Sequence, residues 1–396
     1  MPIFDQGYQH WKGALSSHAW RWLAITRQGL RVQLRGTISI IRILLLLAWM
    51  PALVLVVVLA LWGLFEQGSQ TVISLLQPIL PPGITSDPHA YRHAVWTISY
   101  SIFFRVEIFY IMLLVVISGP NLISRDLRFN ALPLYFSRPL TRWDYFLGKL
   151  GVIAAIVAAV AVVPAAAAYV LGVCFSLDLT VIRDTWRLLP GSILYGLVIV
   201  VSAGTIMLAL SSLSRRSLYV GIAWFGLWVI SSAVAGVLSG IQQQTLYQTI
   251  WREEMGRAKV VSPDSQPPDQ KYFMSGELGQ RVRNRVALAE AEAAPTNWRP
   301  LFSYTANLQR LGEALLNTDA AWVEVGKAIE VPRAALKPIL DKGGPAAGLP
   351  AINNRRLADQ LVPQYPWIWS AGVLAGLLGL SLWTLSTRVK TLDRLR

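Results

Sequence analysis

Six long apolar stretches constrain this chain more than any other feature: residues 43–65, 98–122, 150–173, 190–212, 218–240 and 366–386. Each approaches the roughly 20 helical residues that cross about 30 Å of hydrocarbon. Lipid offers backbone N–H and C=O groups no partner, so runs of this kind cross as helices that bond internally. Composition agrees, since 54% of the 396 residues are hydrophobic and only 15% are charged, against roughly 25% in soluble domains. The expected fold class is therefore an all-α integral membrane protein with six transmembrane helices. An N-terminal interfacial helix precedes them, and a large extracytoplasmic insertion separates the fifth and sixth spans.

The segment before the first span, "WKGALSSHAWRWLAITRQGLRVQLRGTI", is too polar to cross. Arg27, Arg31 and Arg35 recur every four residues, which places them on one helical stripe, with Leu23, Leu30 and Leu34 on a more apolar side. Pro51 and Pro164 fall inside spans, where neighbouring helices re-satisfy the freed carbonyls. Nine alanines between 154 and 168, and the small-residue pairs in "GVLSG" (236–240) and "GVLAG" (372–376), suit close helix contact.

Charge orients the bundle. The formal net charge is +14. Lys12, Arg21, Arg27, Arg31, Arg35 and Arg42 precede the first span against a single acid, Asp5. The 123–149 link, Arg215 and Arg216, and the tail "TRVKTLDRLR" continue the excess on the same side. Positive charge collects on the cytoplasmic side, so both termini are expected there, in a bacterial inner (plasma) membrane crossed by multiple passes. The basic residues cluster at the ends of apolar runs, which favours membrane lipids over nucleic acid as their partner. Four units follow: 1–42, a cytoplasmic or interfacial region; 43–240, spans one to five; 241–365, an extracytoplasmic helical domain; and 366–396, the sixth span with a basic tail. The 241–365 segment carries fifteen basic and thirteen acidic residues and is nearly neutral. Within it, 307–330 is a candidate helix or helix pair.

The chain displays no phosphate-binding G-x-x-x-x-G-K-[ST], no G-x-G-x-x-G, no H-E-x-x-H and no G-x-S-x-G. Catalytic residues are expected to be none, metal sites none, and no cofactor is expected to bind directly. Cys174 is the single cysteine, which excludes an internal disulfide. No cleavable signal peptide is expected, since the first apolar run begins only near residue 40. Inside the spans, Arg105 and Glu107 stand out because ionisable groups there are costly. They are two residues apart and do not face one another on a helix. Two readings stay open: both sit among headgroups because the helix starts later, or they form an intramembrane gate or substrate contact.

Between the second and third spans lies "SRDLRFNALPLYFSRPLTRWDYFLGKL", residues 124–150. Asp126 suits the first turn of a short helix, Pro133 ends or bends it, and Pro139 prevents another from running through. Thr141 followed by Asp144 forms a capping box for the helix entering the third span. Arg125, Arg128, Arg138, Arg142 and Lys149 can reach lipid phosphate, and Leu127, Phe129, Leu132, Leu134 and Phe136 supply more apolar surface than a solvated link needs. A rigid lever and a plain interfacial anchor both fit this composition.

The wider run "GPNLISRDLRFNALPLYFSRPLTRWDYFLGKL", residues 119–150, resembles the signature segment of ABC-2 type transporter permeases, the transmembrane subunits of ABC exporters. The N-terminal "RWLAITRQGLR" and "WRPLFSYTANLQRLGEAL" (298–315) extend the resemblance, while the 241–365 insertion departs from the compact exporters. The resemblance implies two copies of an ABC ATPase subunit, which use ATP and Mg, and a second permease copy or a homologous permease. It implies that the cytoplasmic coupling helix at 124–134 docks on the ATPase through Asp126, Leu127, Arg128, Phe129, Leu132 and Leu134. Ser137, Arg138 and Pro139 would make the turn back. The resemblance leaves the cargo unidentified, and the sparse charge of the spans favours an amphiphilic or lipid-like molecule, or no cargo at all. The alternative is a non-transporting scaffold whose extracytoplasmic domain binds and remodels partner proteins.

Overall fold

A computed structural model describes residues 20–329 and 364–389, apart from 37, 79, 137–139, 262–278 and the positions 280, 281, 283, 284, 287, 288 and 291. Among the described residues every regular element is helical. Helix α1 (Arg21–Gly36) precedes six helices long and apolar enough to cross a membrane. These are α2 (Ile40–Glu66), α3 (Arg92–Ser118), α6 (Arg142–Ser176), α7 (Thr180–Leu213), α8 (Ser217–Val261) and α11 (Trp367–Val389). Two short helices, α4 (Ser124–Arg128) and α5 (Leu132–Phe136), join α3 to α6. Helices α9 (Tyr304–Leu316) and α10 (Thr318–Ile329) lie between α8 and α11.

The spans fall where hydropathy puts them, but several begin earlier. Helix α3 starts at Arg92 rather than near 98, so Arg105 and Glu107 lie midway along a 27-residue helix. The later helix start that one of the two readings assumed is not found. Prolines are absorbed by local changes of helix type. Pro51 opens a new helical segment just after a turn at Trp49, and Pro164 follows a π-helical turn over Ala158–Val162. A widened turn there relieves the clash between a proline ring and the preceding carbonyls.

Helix α1 packs along α6 by close backbone approach. A side chain at Gly148 would place its Cβ 2.6 Å from Ile25 Cβ, and one at Gly151 only 2.4 Å from Thr26 Oγ1. Thr26 Oγ1 donates to the Gly148 carbonyl at 2.9 Å, and Gln33 Nε2 donates to the Ser118 carbonyl at 2.7 Å. The face that α1 turns to the bundle is thus Ile25, Thr26, Gly29 and Gln33, while Leu23 and Leu34 stay exposed beside Arg27 and Arg31.

The fifth apolar stretch does not end its helix. Helix α8 runs for 45 residues without a break, roughly 65 Å at 1.5 Å per residue, far more than the hydrocarbon thickness. Its distal part carries Ile250, packed with Val282 and Val286. The chain then re-enters the bundle. Tyr304, at the start of α9, donates or accepts a hydrogen bond with Ser202 of α7 at 3.2 Å and packs edge-on against Trp224 of α8. At the other end of α9, the Leu315 carbonyl and Leu316 lie against Gly191, near the start of α7. The helix therefore begins deep among the spans and runs outward. Irregular backbone at that depth needs internal partners. Asn307 Nδ2 donates to the Leu301 and Ser303 carbonyls at 2.7 and 2.8 Å, Ser303 Oγ caps the Ala306 N–H, and Ser231 Oγ accepts from the Tyr304 N–H. Asn317, with φ of 59°, supplies the left-handed residue that separates α9 from α10, so the 307–330 segment is a pair.

Candidate functional site

Three polar centres hold the bundle: one in the link between α3 and α6, one at the far end of the spans, and one half-way between them. In the link, Asp126 is the hub. Its Oδ2 accepts from Tyr145 Oη at 2.8 Å and pairs with Lys149 Nζ at 2.7 Å. The Lys149 ammonium also lies over the rings of Tyr135 and Tyr145, at 5.7 and 5.4 Å from their centroids. Lys149 is therefore not at lipid phosphate, as its place at a span end suggested. The helix entering the third span begins early, at Arg142, which carries Lys149 inside the protein. Burial, with Asp126 close by, raises the Tyr135 hydroxyl above its ordinary range.

The expected single helix over 124–134 is two. Asn130, with φ of 48°, breaks the backbone between α4 and α5, and the Ala131 N–H turns back to the Asp126 carbonyl at 2.9 Å. The expected capping box is present, with the Thr141 side chain bonded to the Asp144 N–H and the Asp144 carboxylate to the Thr141 N–H. Ser211 of α7 fastens the other side of the link, accepting from the N–H groups of Ile123 and Ser124 at 3.1 and 2.9 Å. The same hydroxyl donates to the Pro120 carbonyl at 2.9 Å. One short link is thereby tied to α3, α6 and α7.

The residues predicted to dock a partner divide by direction. Asp126 and Leu132 point inward, Leu127 packs partly against the core, and Arg128 and Phe129 face out with the guanidinium 5.6 Å above the ring. Phe129 is 65% exposed, an apolar surface at the outer side of the link. Leu134 lies in α5. Ser137, Arg138 and Pro139, predicted to form the turn, fall outside the described residues.

At the far end, sequence reasoning missed Arg92. Its side chain is 2% exposed and pairs with Glu66 and Asp178 at 2.9 Å and with Asp184 at 3.3 Å. It also donates to Thr180 Oγ1 at 2.7 Å and to His89 Nδ1 at 2.8 Å. Trp62 Nε1 donates to Glu66 at 2.8 Å. One guanidinium thus gathers α2, α3, the α6–α7 link and the start of α7. Hydrogen bonds from Thr180, with Arg92 adding its charge, lower the Asp178 carboxyl from 3.8 to about 2.

Half-way along α3, Arg105 Nη2 meets Glu313 Oε1 of α9 at 3.0 Å. Glu313 also lies 3.5 Å from Arg310, which is itself held by Asp319 through two contacts of 2.8 Å and donates to the Tyr365 carbonyl. Arg105 and Glu313 border a cavity, shared with Ser101, Tyr195 and Gln309, that has room for a single water. Glu107 lies elsewhere on the helix, fully buried, and neither carboxyl oxygen has a hydrogen-bond partner among the described residues. The two span charges singled out from sequence therefore do not form one site. Arg105 joins α9, and Glu107 stands apart.

Comparison with known proteins adds one finding. The family model described as ABC-2 family transporter protein matches residues 38–304, well over half of the chain, from the start of the first span to the first residue of α9. No curated protein and no solved structure matches.

Proposed function

Because this chain belongs to the ABC-2 family of transporter proteins, we propose that it is the permease subunit of an ATP-driven export complex whose ATPase is a separate chain. The protein is a multi-pass membrane protein with six apolar helices. In this reading the α4–α5 end is cytoplasmic in a bacterial inner membrane, both termini lie on that side, and two ATPase subunits serve a pair of permeases. The cargo is lipid-like or amphiphilic.

The observation that carries the reading is the linkage behind the exposed Arg128–Phe129 surface. A push on that surface meets Asp126, which is bound to Lys149 and Tyr145 of α6, and Ser211, which binds the same link to α7. Thr26 and Gln33 add α1 through α6 and α3. A solvated loop would absorb such a push; buried, charge-assisted hydrogen bonds resist it. ATPase closure would therefore shift the α4–α5 end of three spans together.

Phe129→Asp tests the docking surface without touching the core. Affinity-tagged permease is isolated in mild detergent and the co-purifying ATPase quantified. The expected result is at least a tenfold loss of ATPase with unchanged permease yield, and full retention would refute the docking assignment. Leu127 is the poorer probe, since it packs partly against the core.

A scaffold reading draws on one specific feature, the length of α8 beyond the hydrocarbon. In it the projecting helix and the Ile250–Val282–Val286 cluster present a surface to partner proteins, and nothing is transported. Untargeted lipid and metabolite analysis of a deletion strain separates the two readings, because only a transporter leaves a cargo accumulated.

A further inference from the structure

We propose that Arg105 is the headgroup site for a singly anionic amphiphile, a membrane lipid or lipid-like cargo, and that Glu313 is the internal anion that holds this site when it is empty. Arg105 is 43% exposed in the middle of an apolar span. A cation there is costly unless an anion or water meets it. Its carboxylate partner, Glu313, reaches it through one nitrogen, which leaves the other guanidinium N–H groups without a hydrogen bond among the described residues. Bidentate recognition of phosphate or carboxylate is what that fork does best.

The surface around Arg105 fits the rest of such a ligand. Ile102 and Phe109 share its helix face at helical spacing and are 53% and 51% exposed. Phe109 packs against Trp228 of α8, which extends the apolar strip sideways. A cation set in a lipid-facing apolar strip complements one negative headgroup joined to a hydrocarbon tail. It does not complement a polyanion or a soluble sugar.

Glu313 has the geometry of a placeholder. It stands 3.0 Å from Arg105 and 3.5 Å from Arg310, so on leaving the first it keeps a cationic neighbour. Arg310 is already neutralised by Asp319 and fixed to the Tyr365 carbonyl, so it stays in place to receive the carboxylate. The cavity between Arg105 and Glu313 is too small for a headgroup, and full engagement of the guanidinium therefore requires Glu313 to move. Because α9 is packed on Tyr195 of α7 with no room for a Cβ at Gly312, a shift of Glu313 is felt by α9 and α7 together. This is how cargo at the half-way level would speak to the spans that the α4–α5 link moves.

The inference deepens the permease reading by naming the cargo site, and its test needs no ATPase. Purified full-length protein is exchanged into mixed micelles with equal amounts of palmitoyl-oleoyl phosphatidylglycerol and phosphatidylcholine, and retained lipid is counted by native mass spectrometry. Wild type should retain phosphatidylglycerol selectively, Arg105→Gln should lose that retention at least tenfold, and Arg105→Lys should recover part of it. Glu313→Gln, which frees the arginine without removing it, should raise retention severalfold. Equal retention in wild type and Arg105→Gln, a fall rather than a rise in Glu313→Gln, or displacement by millimolar inorganic phosphate would overturn the proposal. Failure to co-purify an ATPase would instead remove the permease reading and leave this binding result untouched.

Discussion

Arg92 and Arg105 belong to one helix, and their surroundings could hardly differ more. Arg92 is closed off from solvent and answered by three carboxylates, a hydroxyl and an imidazole from four parts of the chain. Arg105 is half exposed and answered by one carboxylate that a second arginine also holds. Both charges are expensive in a membrane protein, and the molecule meets the expense in opposite ways. The first is over-determined, which makes a fixed joint at the far end of α2, α3 and α7. The second is under-determined, which makes an exchangeable contact. A transporter needs both: spans that move as blocks, and a place between them whose occupancy changes.

The largest effect should come from breaking the fixed joint. Arg92→Leu leaves Glu66 buried without its cation, and removal of one member of a buried pair costs about 3–5 kcal/mol. Detergent-solubilised variant should melt far below wild type or fail to accumulate, and a melting temperature within a degree or two of wild type would show that the joint is not structural. Glu107 sharpens the contrast, because its buried carboxyl has no hydrogen-bond partner among the described residues. Exchanging an unsatisfied buried polar group for an apolar one of similar shape is neutral to stabilising. Glu107→Met should therefore stabilise by about 1–3 kcal/mol, read as a raised melting temperature. A marked loss of stability would mean that this carboxyl has a partner in the membrane.

Acid should release the carboxylate that Arg92 holds in the link between α6 and α7. Asp178 titrates near 2 in the folded protein, below its ordinary value of 3.8. Its contribution is fully present above that ordinary value and is lost as pH falls through about 2. Melting curves of Asp178→Asn should differ from wild type at neutral pH and converge with it in strong acid.

Much of this was legible in the sequence because lipid imposes a blunt rule. Six apolar runs became six helices, and Thr141 with Asp144 announced a cap that the structure contains. Arg92 escaped because it stands just before the apolar run that hydropathy detects, and Glu66, Asp178 and Asp184 each fall in stretches that look like loops. The re-entry of α9 escaped for a related reason. Its sequence has the polarity of a helix at a water boundary, and only tertiary contact shows Tyr304 among the spans while Asn307 bonds the turn's carbonyls. One signal was available: Arg105 has no acid at helical spacing on its own helix, which requires a carboxylate from elsewhere. The two-part link was hidden by Asn130, whose left-handed backbone a helix propensity scale does not reveal.

The account stands on transmission through the Asp126–Lys149 contact, and Lys149→Met addresses it directly. This variant keeps the outward Phe129 surface and removes the ammonium behind it. Co-purified complexes in lipid nanodiscs are compared for bound ATPase and for the rate of ATP hydrolysis with and without anionic amphiphile. The expected result is normal ATPase binding with loss of amphiphile-dependent stimulation. Stimulation equal to wild type would show that force does not pass through this contact.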